Sequence, residues 1–409
     1  MPVRHVTFDQ QYFQDPHSLY RELRADGPLH RFTSPSGVDG WIITDYTAAR
    51  DILNNPKIGK TPEAMAGADD STPPSGFKES ARRWLRRQTS PWMVSHMLAA
   101  EPPEHTRLRK VTQGSLTPAA LRALHPQVTA YTDTLLGNLR GKTTADLIPT
   151  FAFPLPVQVI CHILGVPDEH HQKIGDCSRV LSDVIVADPN ELRSAAIELA
   201  KVIYPQLRSR KKNPREDLLG ALVAANIDGT MSMKEVMSTV ALLLIAGHET
   251  TVNLIANTMY TLLQDPDCLK RVQAGEIPIS NVIEESLRFE CSLPTTTLRQ
   301  AMDDVQVGDT TIESGDLVMV SLAAANRDPA AFPNPDRFDP ERAVRGNLAF
   351  GYGIHHCIGA PLARMEAEIA ITRLLEEFPT IALAADPDSL EWRESIVFRG
   401  LNTLPVTLG

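Results

Sequence analysis

A mainly α-helical chain with a small β region is what this sequence predicts, on three observations. Apolar residues from Thr117 to Val223 mostly keep a helical period. The run from Lys234 to Leu263 is compatible with one long helix. Strand-like alternation is confined to short segments near residues 29–44 and 305–322.

In chain order, Asp15-Pro16 opens an amphipathic helix through Leu19, Tyr20 and Leu23, and Gly27-Pro28 ends it. Leu29 to Thr33 and Trp41 to Thr44 read as a hairpin about Ser34-Pro35-Ser36-Gly37, followed by a helix carrying Ala48, Ile52 and Leu53. Residues 61–98 are rich in Gly, Pro, Ser and charge before turning apolar, which predicts a long loop serving as a lid over a substrate. The cluster Arg82, Arg83, Arg86 and Arg87 around Trp84 reads as a solvated helix face. Pro154, Pro156, Pro167 and Pro189 break the helical half, and Arg208 to Arg215 is too short for a domain linker. With no repeat either, one domain over residues 1–409 is expected, with 1–60 and 295–325 giving most of the β region.

Composition limits the functions. At 409 residues, with 43% hydrophobic and 22% charged, the chain can bury a large core. A net charge of -10 argues against nucleic-acid binding, which needs an excess of Lys and Arg. The five cysteines are scattered singly, as in a reducing cytoplasm. No apolar leader follows Met1, and the best membrane-span candidate, Val236 to Leu263, has His248 and Glu249 near its middle. A buried helix, no membrane and a cytoplasmic location are expected.

Three motifs carry chemistry. Ala246-Gly247-His248-Glu249-Thr250-Thr251 interrupts the long helix with a helix-weakening Gly and an acid beside an alcohol, and Thr250 can bond back to the carbonyl of Ala246 and open a groove. A zinc-protease HExxH fails here because position 252 is Val. Glu285 and Arg288 share a helix face, a pattern common on solvated surfaces. The stretch from Asn326 to Arg342 is too Pro-rich for regular structure and is expected to be an ordered meander if Arg337 has a buried partner. Finally, Phe350-Gly351-Tyr352-Gly353-Ile354-His355-His356-Cys357-Ile358-Gly359 precedes a helix opened by Pro361. A cysteine just before a helix N-terminus meets the positive end of the dipole, which favours the thiolate that binds iron. The glycines let the backbone approach a flat macrocycle, and Phe350 can shield the sulfur. A dinucleotide loop and a zinc site both fail on spacing.

These residues resemble the cytochrome P-450 family along nearly the whole chain: the cysteine loop matches FGxGxHxCxG, residues 246–251 the oxygen-binding helix, and Glu285 to Arg288 the ExxR motif. The resemblance implies a triangular helix-rich fold with b-type heme between the long central helix and the cysteine loop. It implies Cys357 as the axial iron ligand, and His105, Arg109, Arg299 and His355 as propionate partners. Ala246, Gly247, Phe350, Gly351 and Gly359 would lie against the macrocycle. It also implies Glu249 and Thr250 as the proton-handling pair, and Glu285, Arg288 and Arg337 as a buried structural triad. Glu101 stands where the family usually has Asp.

The implied reaction is a monooxygenation using O2, with NAD(P)H electrons arriving through a ferredoxin reductase and a ferredoxin, which Arg107, Lys110 and Arg364 would steer. The enzyme would be a monomer acting on a small apolar secondary metabolite. That substrate would be contacted by Trp84, Trp92, Met93, Val94, Leu98 and Leu243 and by the stretch from Leu181 to Val202. Oxidative coupling, peroxide-driven oxidation and a heme-based sensor are the alternatives.

Overall fold

The computed structural model describes residues 3–35, 37–61, 95–182, 188–342 and 346–409. At its centre lies the helix Met233–Leu263, 31 residues long. Ser232 fixes where it starts: its hydroxyl accepts from the Glu235 amide at 3.2 Å, and the Glu235 carboxylate accepts from the Ser232 amide at 2.7 Å. Among the described residues it is the one helix long and apolar enough to cross a membrane, and most of its surface is buried inside the protein. The helices Pro154–Leu164, His171–Ser182, Ile279–Phe289 and Ala360–Glu377 pack against it.

The expected interruption at residues 246–251 does not occur, since the helix runs unbroken from end to end. Gly247 serves packing: a Cβ there would meet Ile160 Cδ1 at 3.2 Å, so its absence lets two helices approach. Thr250 does bond back, donating to the Ala246 carbonyl at 2.9 Å.

The main sheet has six strands in the order His5–Thr7, Leu29–Thr33, Asp39–Ile43, Leu317–Val320, Arg299–Ala301 and Ile58–Gly59. It joins the N-terminal hairpin to a segment more than 250 residues later in the chain, with Trp41 beside Val318. Val305–Val307 and Thr310–Ile312 form the expected separate hairpin. A three-stranded sheet of Thr144–Asp146, Pro405–Thr407 and Ala382–Leu383 was not expected, because strands of two or three residues carry no readable alternation.

The meander between the sheet and the cysteine loop corrects the expected triad. Glu285 and Arg288 are fully buried and paired at 2.7 and 2.8 Å. Their third member is Arg342, whose Nε lies 3.3 Å from Glu285 Oε1. Arg337 is exposed and contributes only its backbone carbonyl, which accepts from Arg288 at 3.1 Å and Arg342 at 3.2 Å. Two arginines five residues apart in an aperiodic segment look alike in sequence; the path of the meander turns one inward and the other out.

Candidate functional site

A cavity of about 530 Å3 opens between the central helix and the cysteine loop. Its lining brings together residues far apart in sequence: Cys357 and Phe350 from the loop, Ala246 and Thr250 from the helix, Arg299 from the sheet and Thr297 just before that strand. Leu98 and Leu243 also line it, as expected of substrate contacts. Trp84, Trp92, Met93, Val94 and the arginine cluster at 82–87 lie outside the described residues. Of the stretch from Leu181 to Val202, the described residues belong mainly to two helices, His171–Ser182 and Pro189–Lys212, and Ser182 reaches the cavity; residues 183–187 lie outside the described residues.

The cysteine loop takes its shape from two glycines. Gly351 (φ +72°) and Gly353 (φ +75°) hold left-handed backbone, and a Cβ on Gly353 would sit 2.9 Å from the Leu53 carbonyl oxygen. The turn they make lets the Cys357 amide donate to the Phe350 carbonyl at 2.8 Å. The Cys357 sulfur is open to the cavity yet walled by protein behind. Burial pushes its thiol pKa up, against the amides of Gly359 and Ala360 and the charges of Arg109 and Arg364, which pull it down. An iron held at the sulfur would favour the thiolate further, as metals do for coordinating thiols. Phe350 stacks under the Arg364 guanidinium, 4.5 Å from the ring centre.

Around the same cavity lies an excess of cationic and donor groups. Arg299 is 4% exposed, with its Nε buried and without a hydrogen-bond partner, and His105 Nε2 is in the same condition. Arg109 donates to the His356 carbonyl at 2.9 Å. His355 donates from Nε2 to Glu101 at 3.0 Å, and burial lowers its pKa to about 4, so the ring is neutral.

Lys60, which the sequence reading missed, is 4% exposed, lines the cavity and bonds Thr297 Oγ1. Burial, then the neighbouring Arg299, holds its pKa well below the usual lysine range. Glu101 balances part of this charge and accepts from the Lys60 amide at 2.8 Å. Buried donors without acceptors facing an open cavity are costly unless an anion completes them, and the two carboxylates of a heme suit that need. Nothing in the sequence around Lys60 marks it; its place directly after the two-residue edge strand Ile58–Gly59, which pairs with the strand that carries Arg299, does.

Glu249 is buried but does not line the cavity. Its Oε1 pairs with the Arg393 guanidinium, and its Oε2 lies 3.4 Å from His248 Nε2. Burial lowers the His248 pKa to about 4. Its Nδ1 donates to the Leu244 carbonyl at 2.6 Å, so the neutral ring has no proton left for Glu249.

The family model described as Cytochrome P450 matches residues 154–277 and 279–402. The chain belongs to the cytochrome P450 family. Cytochrome P450 107B1 of Saccharopolyspora erythraea is 40% identical over 409 residues, covering 99% of this P450 and 98% of that protein. The monooxygenase PikC of Streptomyces venezuelae is 38% identical over 403 residues, covering 97% and 92%. Among solved structures, tirandamycin C-bound TamI superposes with a TM-score of 0.87 at 37% identity, covering 100% of both chains. This P450 is accordingly a heme-dependent monooxygenase with the triangular, helix-rich fold of its family, using O2 and electrons delivered by redox partners.

Proposed function

We propose that this P450 inserts one oxygen atom of O2 into an apolar secondary metabolite of the polyketide or terpenoid kind, by hydroxylation or epoxidation. Cys357 holds the heme iron; Arg109, Arg299, His105, His355 and Lys60 hold the propionates. The observation that carries the reading is the cavity itself, which has the Cys357 sulfur and the Thr250 hydroxyl in its lining. Its other walls are largely apolar, with Leu98, Leu243, Ile396 and Val397 among them, which suits an apolar ligand. PikC and TamI, both monooxygenases by name and the latter bound to tirandamycin C, support the substrate class.

A thiolate-ligated heme supplies the binding of O2 and the cleavage of its O–O bond. The protein supplies protons and the exclusion of water. Thr250 already gives its hydroxyl proton to the Ala246 carbonyl, so the lone pairs left on its oxygen accept from a water or a protonated group in the cavity. Glu249, one residue earlier, is the acid that can refill such a water from the protein interior.

Electrons come from NAD(P)H through a ferredoxin reductase and a ferredoxin. Of the cations expected to steer the ferredoxin, Arg107 is paired with Glu104 and Glu235, and Arg364 with Glu284. Lys110 is exposed with no ion pair among the described residues, so it carries most of the steering. A cytoplasmic monomer completes the reading.

The test is a natural-product library screened for displacement of iron-bound water, read as a Soret shift, followed by product analysis of each binder with NADPH and surrogate redox partners. Oxygenated product from an apolar binder is expected. Coupled products without added oxygen would replace insertion by oxidative coupling, and binders that never stimulate NADPH consumption would make the protein a sensor. A reduced carbonyl spectrum of thiolate type that survives Cys357→Ala would remove the proposed ligand.

A further inference from the structure

Glu284 stands next to the buried Glu285 but has no part in the Glu285–Arg288 pair. From the helix Ile279–Phe289 it reaches instead to the helix Ala360–Glu377, just after the cysteine loop. Its Oε1 accepts from Arg364 Nε, and its Oε2 accepts from Arg364 Nη2 at 3.2 Å. The same Oε2 accepts from Asn347 Nδ2 at 3.4 Å, and Asn347 Oδ1 takes the Ala349 amide at 3.2 Å. One carboxylate thereby ties three segments together beside Phe350: the helix that carries it, the entry to the cysteine loop and the helix beyond that loop. The guanidinium it holds lies over the Phe350 ring, 4.5 Å from its centre, and the Phe350 carbonyl in turn accepts from the Cys357 amide.

Two cations act on the Cys357 sulfur, Arg109 and Arg364. They differ in what balances them. Arg109 donates to the neutral His356 carbonyl at 2.9 Å and has no ion pair among the described residues, so its charge stays uncompensated. Arg364 is held by a carboxylate, which offsets most of the field it sends toward the sulfur. Charges and hydrogen bonds around a coordinating sulfur tune the potential of the metal it holds. A positive field favours the extra electron of a reduced iron, and a negative one opposes it.

We propose that Glu284 is a positioning residue for electron uptake: it holds Arg364 over Phe350 and offsets its charge, and so sets how low the potential of a heme iron on Cys357 lies. The inference rests on Cys357 being the iron ligand, as in the proposed function. The step concerned is the entry of one electron from the external donor, which takes the iron from ferric to ferrous. Neither Glu284 nor Arg364 gains or loses a proton or a bond in it. The Glu284 and Arg364 side chains are 30% and 38% exposed, so solvent and salt screen them in part and the expected shift is moderate. The consequence is a limit on which donors can reduce the enzyme, fixed by a residue that touches neither ligand nor iron.

The test is a spectroelectrochemical titration of the heme-loaded, ligand-free enzyme, with the ferric and ferrous forms read at the Soret band. Glu284→Gln keeps the shape of the side chain and removes its charge. It is expected to raise the reduced-to-oxidised ratio at a fixed potential on the order of fivefold, a positive shift of about 40 mV at about 59 mV per tenfold. Arg364→Gln should shift the couple the other way, and the double variant should fall between the two single ones. Glu284→Asp, which restores the charge, should return the potential toward the parent. If Glu284→Gln does not hold heme, Arg364→Gln carries the test by its opposite sign. An unchanged potential in Glu284→Gln overturns the proposal, and so do shifts of the same sign in both single variants, which would mean a loosened loop admitting water. Heme content and the carbonyl spectrum are recorded for every variant. A parent spectrum that is not of thiolate type would bring down the ligand assignment itself, whereas a thiolate spectrum with an unmoved potential sinks only the role of Glu284.

Discussion

Replacing the arginines of the meander one at a time gives a graded prediction. Glu285 is fully buried and receives both nitrogens of Arg288, the Asp339 amide at 2.9 Å and Arg342 Nε at 3.3 Å. Arg288→Ala removes the strongest of these and leaves a buried carboxylate with one weak cation, a loss of about 3–5 kcal/mol. Arg342→Ala leaves the Arg288 pair intact. It takes away one charged contact and the donors that serve the carbonyls of Pro333, Asn334 and Arg337. Hydrogen bonds of a charged group contribute about 1.5–3 kcal/mol, and Arg342 is one-tenth exposed, so a loss of about 2–3 kcal/mol is expected. Arg337→Ala removes an exposed side chain and keeps the carbonyl that matters, within about 0.5 kcal/mol of the parent. The assay is urea unfolding of the heme-loaded protein by circular dichroism, with heme content of each preparation as a second readout. Arg337→Ala losing as much stability or heme as Arg342→Ala would refute the reasoning.

Three further perturbations have definite expected outcomes. His17 is buried, donates to Glu290 at 3.3 Å, and burial followed by the charge of Arg327 lowers its pKa from 6.5 to about 4. Between those values the unfolded chain takes up a proton that the folded one refuses, so stability is held above about pH 6.5 and lost as pH falls toward 4. That single site accounts for about 3 kcal/mol, and urea titrations of His17→Gln should show a shallower fall over the same window. Lys60→Met should stabilise the heme-free protein, since it removes a buried amine, yet speed heme transfer to a scavenger such as apomyoglobin; unchanged transfer would remove Lys60 from the propionate set. Thr250→Ala should keep heme and ligand spectra while NADPH electrons leak into peroxide in the presence of a bound substrate, and full coupling of electrons to product would count against its role.

The legibility of the site follows the range of its contacts. The ExxR pair was readable because residues three apart on a helix must share a face, and the cysteine loop because its glycines need left-handed backbone at fixed positions. Gly247 was visible as an oddity but misread as a break, because a sequence does not show Ile160 waiting 87 positions away. Lys60, Arg342 and Arg393 could not be found at all. Each works through a partner across the fold, at Thr297, Glu285 and Glu249, and none sits in a segment whose period constrains where a side chain points.

By itself the chain determined its helices, through apolar period and capping residues, and the local chemistry of its motifs, because both depend on neighbours within a turn or two. Tertiary packing alone decided which charges are buried together: that Arg342 faces in and Arg337 out, that Lys60 and Arg299 share one cavity wall, that Glu249 turns from the cavity to Arg393, 144 residues on. Desolvation sets the energy of those groups, and desolvation depends on which distant segments close over them.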